Sequence, residues 1–219
     1  ASNATMHYLV GNIIALPLIY ENNIDIDELV ENNIKESKDD WDSYEISWDF
    51  RKHPLISENC QIETVFSQWK NKTNERFEQV KHNEETLNQI FIDIYGLQAD
   101  LTSMVDERYI SIRKADLGRE IRSFISYAIG CMFGRYSLDR EGLIYAGGNF
   151  NKFYKKVDEP LLDPADEIIL DSNGEAIIVG EKYGKIKINN EWKDISFGPN
   201  VDNCIPITDQ EYFSKDEDI

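Results

Sequence analysis

Seven basic residues crowd one stretch of this 219-residue chain: Arg108, Arg113, Lys114, Arg119, Arg122, Arg135 and Arg140, against only Asp116, Glu120 and Asp139. The whole chain has a formal net charge of −18, so this stretch is a net-positive island. A planar guanidinium donates two parallel hydrogen bonds to a phosphate, which makes such an island a candidate for contact with duplex DNA. Arg119 and Arg122 lie three apart and would share a face of a helix. Arg51 and Lys52 join the DNA-contact candidates from an earlier aromatic and basic segment, Ser47–Ile56. The competing reading is internal: residues 21–45 hold ten acids against two lysines, and such segments could neutralise the arginines. A free-standing DNA binder is usually basic over its binding face, so the overall charge argues against that class.

Catalytic residues are harder to find. Methyl transfer to a base amine needs a glycine-rich turn after a strand for the methyl donor. It also needs an Asn/Asp-Pro-Pro-aromatic loop that hydrogen-bonds and stacks on a flipped base. Asp163-Pro164-Ala165-Asp166 lacks the second proline and the aromatic, and Gly147-Gly148 alone is too weak a nucleotide signal. No phosphate-binding GxxxxGK[ST] loop and no Gly-x-Ser-x-Gly elbow occurs. Asp158 with Glu191-x-Lys193 imitates a nuclease set, but 41 acids produce such spacings by chance. His7, His53 and His82, and Cys60, Cys131 and Cys204, have no ligand or CxxC spacing. Metal binding and a disulfide framework are therefore not expected, and reduced thiols suit the cytoplasm. No apolar run is long enough for a membrane span. No catalytic residue and no cofactor are assigned to this chain.

The elements that must carry these residues read as α+β, mainly helical: an amphipathic helix bundle with a small antiparallel β-hairpin unit. Residues 1–5 look like a cloning scar, and both ends suggest a piece of a longer protein. Val10–Tyr20 is apolar with Pro17 inside, which predicts an edge strand within residues 6–20. Asp25 and Glu28 form a possible capping box for the next helix. Apolar residues at helical spacing predict a helix over Ile62–Lys81, and Asn83 is expected to cap a second one that ends at Gly96. Tyr109–Ile112 could be a short strand. The strongest helix runs from about Asp116 to Tyr136, where Gly130 and Gly134 would let another element approach closely. Ile168–Leu170, Ala176–Val179, Lys185–Ile188 and Ile195–Phe197 are β-rich, with turns at Asn173-Gly174 and Asn189-Asn190. No long repeat stands out. The expected division is a helical core over 21–156, a hairpin insertion over 157–200 and a connector over 201–219.

Several runs carry a more specific signal. They are Trp41–Phe50 with His53-Pro54-Leu55, Asn83–Glu85 leading to Asn88–Leu97, and Ile112–Arg122 through Ser126–Asp139 and Gly142–Gly148. Ile205–Asp209 with Glu211–Phe213 closes the set. Together they resemble the region that follows the catalytic domain in the PglX family, the adenine-specific DNA methyltransferases of BREX phage defence, also described as type II or IIS restriction-modification methylase subunits. The resemblance covers roughly Val10–Phe150 and Asn203–Asp218, and covers the hairpin unit poorly. It implies a larger parent that methylates adenine N6 with S-adenosylmethionine and belongs to an assembly with other phage-defence subunits. It implies a place at or beside the target-recognition segment. The family's methyl-transfer residues have no counterpart here. The expected role is therefore a non-catalytic module that helps recognise or clamp duplex DNA. The alternative is a scaffold whose acidic faces dock other defence subunits.

Overall fold

A computed structural model describes residues 10–14, 17, 19, 24–57 and 61–202. The described residues form a mainly helical α+β structure. The helices are α1 (Val10–Ile14), α2 (Ile24–Trp41), α3 (Ile62–Tyr95) and α4 (Leu117–Met132). The strands β1 (Tyr154–Pro160), β2 (Ile178–Ile188) and β3 (Glu191–Asp194) make one antiparallel sheet in the order β1-β2-β3. Two compact units divide the chain. One holds the residues up to Asp40 together with Lys70–Lys114, and the other holds Trp41–Trp69 together with the chain from Ala115 onward.

In the first unit, α2 and α3 are joined by polar side chains. Asn83 is buried and donates through Nδ2 to Oδ1 of both Asn32 (2.9 Å) and Asn33 (2.8 Å), while Gln79 donates to Asn83 Oδ1 (2.8 Å). The buried Arg76 donates to Glu36 Oε2 at 2.9 Å and lies 4.0 Å from Asp40 Oδ1. This network corrects the expected break in the helix. Asn83 caps nothing, because its amide is satisfied by α2 some fifty residues away, and α3 runs through it for 34 residues. Phe77, Val80, Ile110 and Ile112 form the apolar core beside this network. Ile110 and Ile112 thus alternate inward as a strand would. However, the segment makes no ladder with another described strand, and Glu107–Tyr109 is a 3-10 turn capped by Asp106. The short strand expected over Tyr109–Ile112 does not form.

Two further expectations change. Val10–Ile14 is a five-residue helix, which a short apolar run does not distinguish from a strand, and most of the rest of the expected edge strand lies outside the described residues. Helix α2 begins at Ile24, so Asp25 lies inside its first turn and not at the cap.

The second unit is organised by α4. Asp116 accepts the amide of Arg119 (2.8 Å) and caps the helix. Tyr127 and Cys131 face inward onto Phe50 and Tyr136, with Tyr127 and Tyr136 stacked at 5.1 Å. A Cβ on Gly130 would meet the Tyr136 ring at 2.7 Å, so only glycine lets the chain after the helix fold back onto it. Gly134 makes that reversal at φ +73°, and a Cβ there would strike Phe150 at 2.7 Å. The aromatic and basic segment Ser47–Ile56 supplies core: Phe50, His53 and Leu55 are all buried. Tyr154, Ile186 and Ile144 form a second cluster with Phe150 and Tyr183.

Strand β1 is longer and starts earlier than the β-rich runs suggest. Its pairing with β2 begins at Tyr154↔Ile186, so a boundary after residue 156 falls inside the strand. Asn189 and Asn190 take positive φ (50° and 68°) in the β2–β3 turn, as expected of a two-residue hairpin. Between β1 and β2 the chain continues as a β arm, held by bridges Leu162↔Ile168 and Leu170↔Ala176. The arm repeats itself every eight residues. Asp163 Oδ1 accepts the amides of Ala165 and Glu167, and Asp171 Oδ1 accepts those of Asn173 and Glu175. Asp163 and Asp171 each also donate their own amide to the carbonyl four residues on. This short repeat was not expected.

Candidate nucleic-acid interface

The basic island does not stay in one piece. Arg108, Arg113 and Lys114 fall in the first unit; Arg51, Lys52, Arg119, Arg122, Arg135 and Arg140 fall in the second.

Three of these cations are committed inside the protein, and a fourth, Arg108, makes an exposed pair. Lys114 Nζ sits 3.0 Å from Glu78 and 3.4 Å from Glu107, and 4.2 Å from the centre of the Phe77 ring. The hydrogen bond to Glu78 leads the effects that raise its pKa. Arg119 donates Nε (3.1 Å) and Nη2 (2.7 Å) to Glu120, whose carboxylate is buried, and its guanidinium lies over the Tyr44 ring. That fork holds a buried charge in place and so leaves Arg119 a structural part. Arg140 donates to the Lys187 carbonyl (3.0 Å), tying the loop after α4 to β2. Arg108 pairs with Asp106 at 3.2 Å beside the Tyr109 ring.

The others differ. Arg51 reaches Glu141 at 3.7 Å, but both side chains are well exposed, so the pair contributes little. Among the described residues, Arg113, Arg122, Arg135 and Lys52 meet no carboxylate within ion-pair distance, and the three arginines are exposed. Arg122 stands on the second turn of α4. Arg135 follows the glycine reversal that ends the helix and rests against the Tyr136 ring at 5.4 Å. Helix α4 therefore carries one exposed guanidinium without a carboxylate partner near its start, and another, which leans on Tyr136, lies just past its end. Trp48, in the turns before Phe50, is almost fully exposed in the same unit.

The burial of Arg76 and Glu120 is not legible in the sequence, since a single charge inside an amphipathic pattern looks like any surface charge. A charge on the apolar side of the stripe was the available signal.

Among the described residues, the glycine pair and the acid clusters are placed as follows. Gly147 and Gly148 lie in an exposed loop, its Gly148 carbonyl accepting from the Tyr145 hydroxyl (3.1 Å), that leads into the 3-10 turn Phe150–Lys152 and follows no described strand. Asp163 is occupied by its own turn. Asp158 pairs with Glu181 and Glu191 with Ile188, seven positions apart along β2. That is roughly 23 Å, too far to share a metal, so the nuclease set does not assemble. Among the described residues no group of three or more His, Cys, Asp or Glu could hold a metal ion, and no helix is long and apolar enough to cross a membrane. Burial pushes the Cys131 thiol up to about 11, which removes it as a nucleophile. His7, Cys60, Cys204 and the segment 203–219 lie outside the described residues.

No family model matches the chain. Against curated proteins it is 36% identical over 221 residues to the adenine-specific methyltransferase PglX of Lacticaseibacillus casei (strain Zhang), a match covering 98% of this chain and 15% of that protein. It is 29% identical over 160 residues to the adenine-specific methyltransferase BrxX of Escherichia coli O9:H4 (strain HS), covering 65% of this chain and 13% of that protein. The PglX match spans the hairpin unit as well, where the motifs alone gave little. The chain thus belongs to the PglX/BrxX family of adenine-specific methyltransferases, as a region matching about 15% of the length of its PglX relative.

Proposed function

We propose that this region is a non-catalytic, DNA-facing module of a larger adenine-N6 methyltransferase of phage defence. It follows the catalytic domain, which binds S-adenosylmethionine, and it helps hold or recognise the duplex. One observation carries this reading. In a chain of net charge −18, the exposed Arg122 and Arg135 flank α4 without a carboxylate partner among the described residues, although acids are abundant. Phosphate is the partner that matches an exposed planar fork with no carboxylate beside it. Lys52 is the supporting contact in the same unit, Arg113 is a separate candidate in the other, and the parent would act in the cytoplasm beside other defence subunits.

Titration of a fluorescent duplex with this chain at increasing salt tests the reading. Removing one side chain that binds a phosphate should lower the salt slope by about one. Arg122→Gln with Arg135→Gln should therefore flatten the slope by about two and weaken binding across all sequences alike. Arg119→Gln should act through stability instead. Duplex binding that is absent, or insensitive to salt, defeats the proposal.

A further inference from the structure

We propose that the β arm, taken with the adjoining ends of β1 and β2 as residues 158–181, is a docking element that seats on a basic-rimmed apolar surface elsewhere in the parent polypeptide. Three observations converge on it. First, the arm shows its apolar residues to solvent: Ile168 is 52% exposed, Leu170 56% and Val179 58%. Large apolar side chains left in solvent on a segment of defined shape are what an interaction site offers. Second, the arm keeps its shape without a core. Leu161 donates to the Ile177 carbonyl (2.7 Å), Ile169 to Leu161 (2.9 Å) and Ile177 to Ile169 (3.1 Å), and the two aspartate turns close the loops. A segment already in its bound shape loses little conformational freedom on docking. Third, residues 158–181 contain eight acids and no lysine, arginine or histidine. That charge repels duplex DNA and fits a surface rimmed by lysine and arginine.

The parent polypeptide is the source of that surface. The matched PglX relative is far longer than this chain, which spans 15% of it. A DNA methyltransferase also needs basic faces of its own. The arm's contact is with protein, and it stands independently of whether Arg122 and Arg135 touch DNA.

Zero-length carbodiimide cross-linking of the full-length parent, without DNA, followed by mass spectrometry, tests this. The expected result is links from Asp163, Asp166, Glu167 or Glu175 to lysines outside the 219 residues. The double variant Leu170→Ser with Ile178→Thr should lower their yield several-fold, while the amides of Ile169 and Ile177 stay protected from exchange in the isolated 219-residue chain. Links confined to lysines of this segment, no links at all, or links found only between isotopically distinct copies each overturn the proposal. Loss of duplex binding by the Arg122 and Arg135 variants would leave these links in place, so the two readings fail separately.

Discussion

Around the C-terminal half of α4, Phe50, Tyr127, Cys131 and Tyr136 are each 5% exposed or less, whereas Ile168, Leu170 and Val179 in the β arm are each more than half exposed. Both regions are rich in large apolar side chains and both have a defined backbone. The helical region gets its shape from burial: two glycines permit close approach, and rings fill the space that results. The arm gets its shape from backbone hydrogen bonds and two aspartate turns, with almost nothing buried. Shape and stability are therefore separable here. Hydrogen bonds to the backbone can specify a conformation, but a net of about 1 kcal/mol each leaves stability to burial. The helical region carries both, while the arm carries shape alone.

The sharpest way to break that contrast is to empty the helical region. Tyr154 is buried, stacks on Phe150 at 4.8 Å, and donates its hydroxyl towards the carbonyls of Gly134 (3.1 Å) and Tyr136 (3.2 Å). Tyr154→Ala should cost about 3–5 kcal/mol in urea unfolding. Tyr154→Phe keeps the ring and should cost about 1 kcal/mol. A loss below about 1 kcal/mol for the alanine variant would mean that this cluster does not anchor the loop after α4.

Acid provides the next largest effect. His53 is buried and accepts the Leu55 amide at Nδ1 (3.1 Å), which requires the neutral ring. Burial pushes its pKa down from 6.5 to about 4. The unfolded chain thus takes up the proton first, so stability is complete above about pH 6.5 and drains away as pH falls to 4. The full difference is about 3 kcal/mol. Asp171 in the arm behaves differently: the amides of Glu175 and Asn173 hold its carboxyl below the usual 3.8. Its turn should persist through the window in which His53 weakens the helical region, and loosen only at lower pH. Melting temperatures should fall on acidification through that window, and His53→Gln should flatten the dependence.

The same contrast explains what was legible in the sequence. Helix α4 could be read because one local pattern, a capping Asp116 and a broad apolar stripe, agrees with its burial. The course of α3 through Asn83 could not, because the side chains that satisfy it sit on α2. Strand β1 was hidden for a related reason: apart from Tyr154 its residues are charged or half-buried, so no alternation announces it. The eight-residue repeat was open to view in Asp163/Asp171 and Glu167/Glu175, but a search for long repeats passes over it. Of the candidate contacts, residue type identified the arginines. Which of them were already engaged depended on Glu120, Glu78 and the Lys187 carbonyl, all fixed by tertiary structure.

The smallest expected effect is the most discriminating. If the arm's apolar side chains contribute no burial within this chain, Leu170→Ser and Val179→Thr should each leave its unfolding free energy within about 0.5 kcal/mol of wild type. Removing a turn acceptor is a different perturbation. Asp171→Ala deletes the oxygen that takes the Asn173 and Glu175 amides, so hydrogen exchange at those two sites should accelerate several-fold, as at a helix end that has lost its cap. The amides of the α4 helix should be unmoved. The two kinds of substitution test opposite halves of the comparison, one removing apolar surface without shape and the other removing shape without apolar surface. Should Leu170→Ser destabilise as much as a core truncation, the arm would have a core after all, and burial would govern both regions.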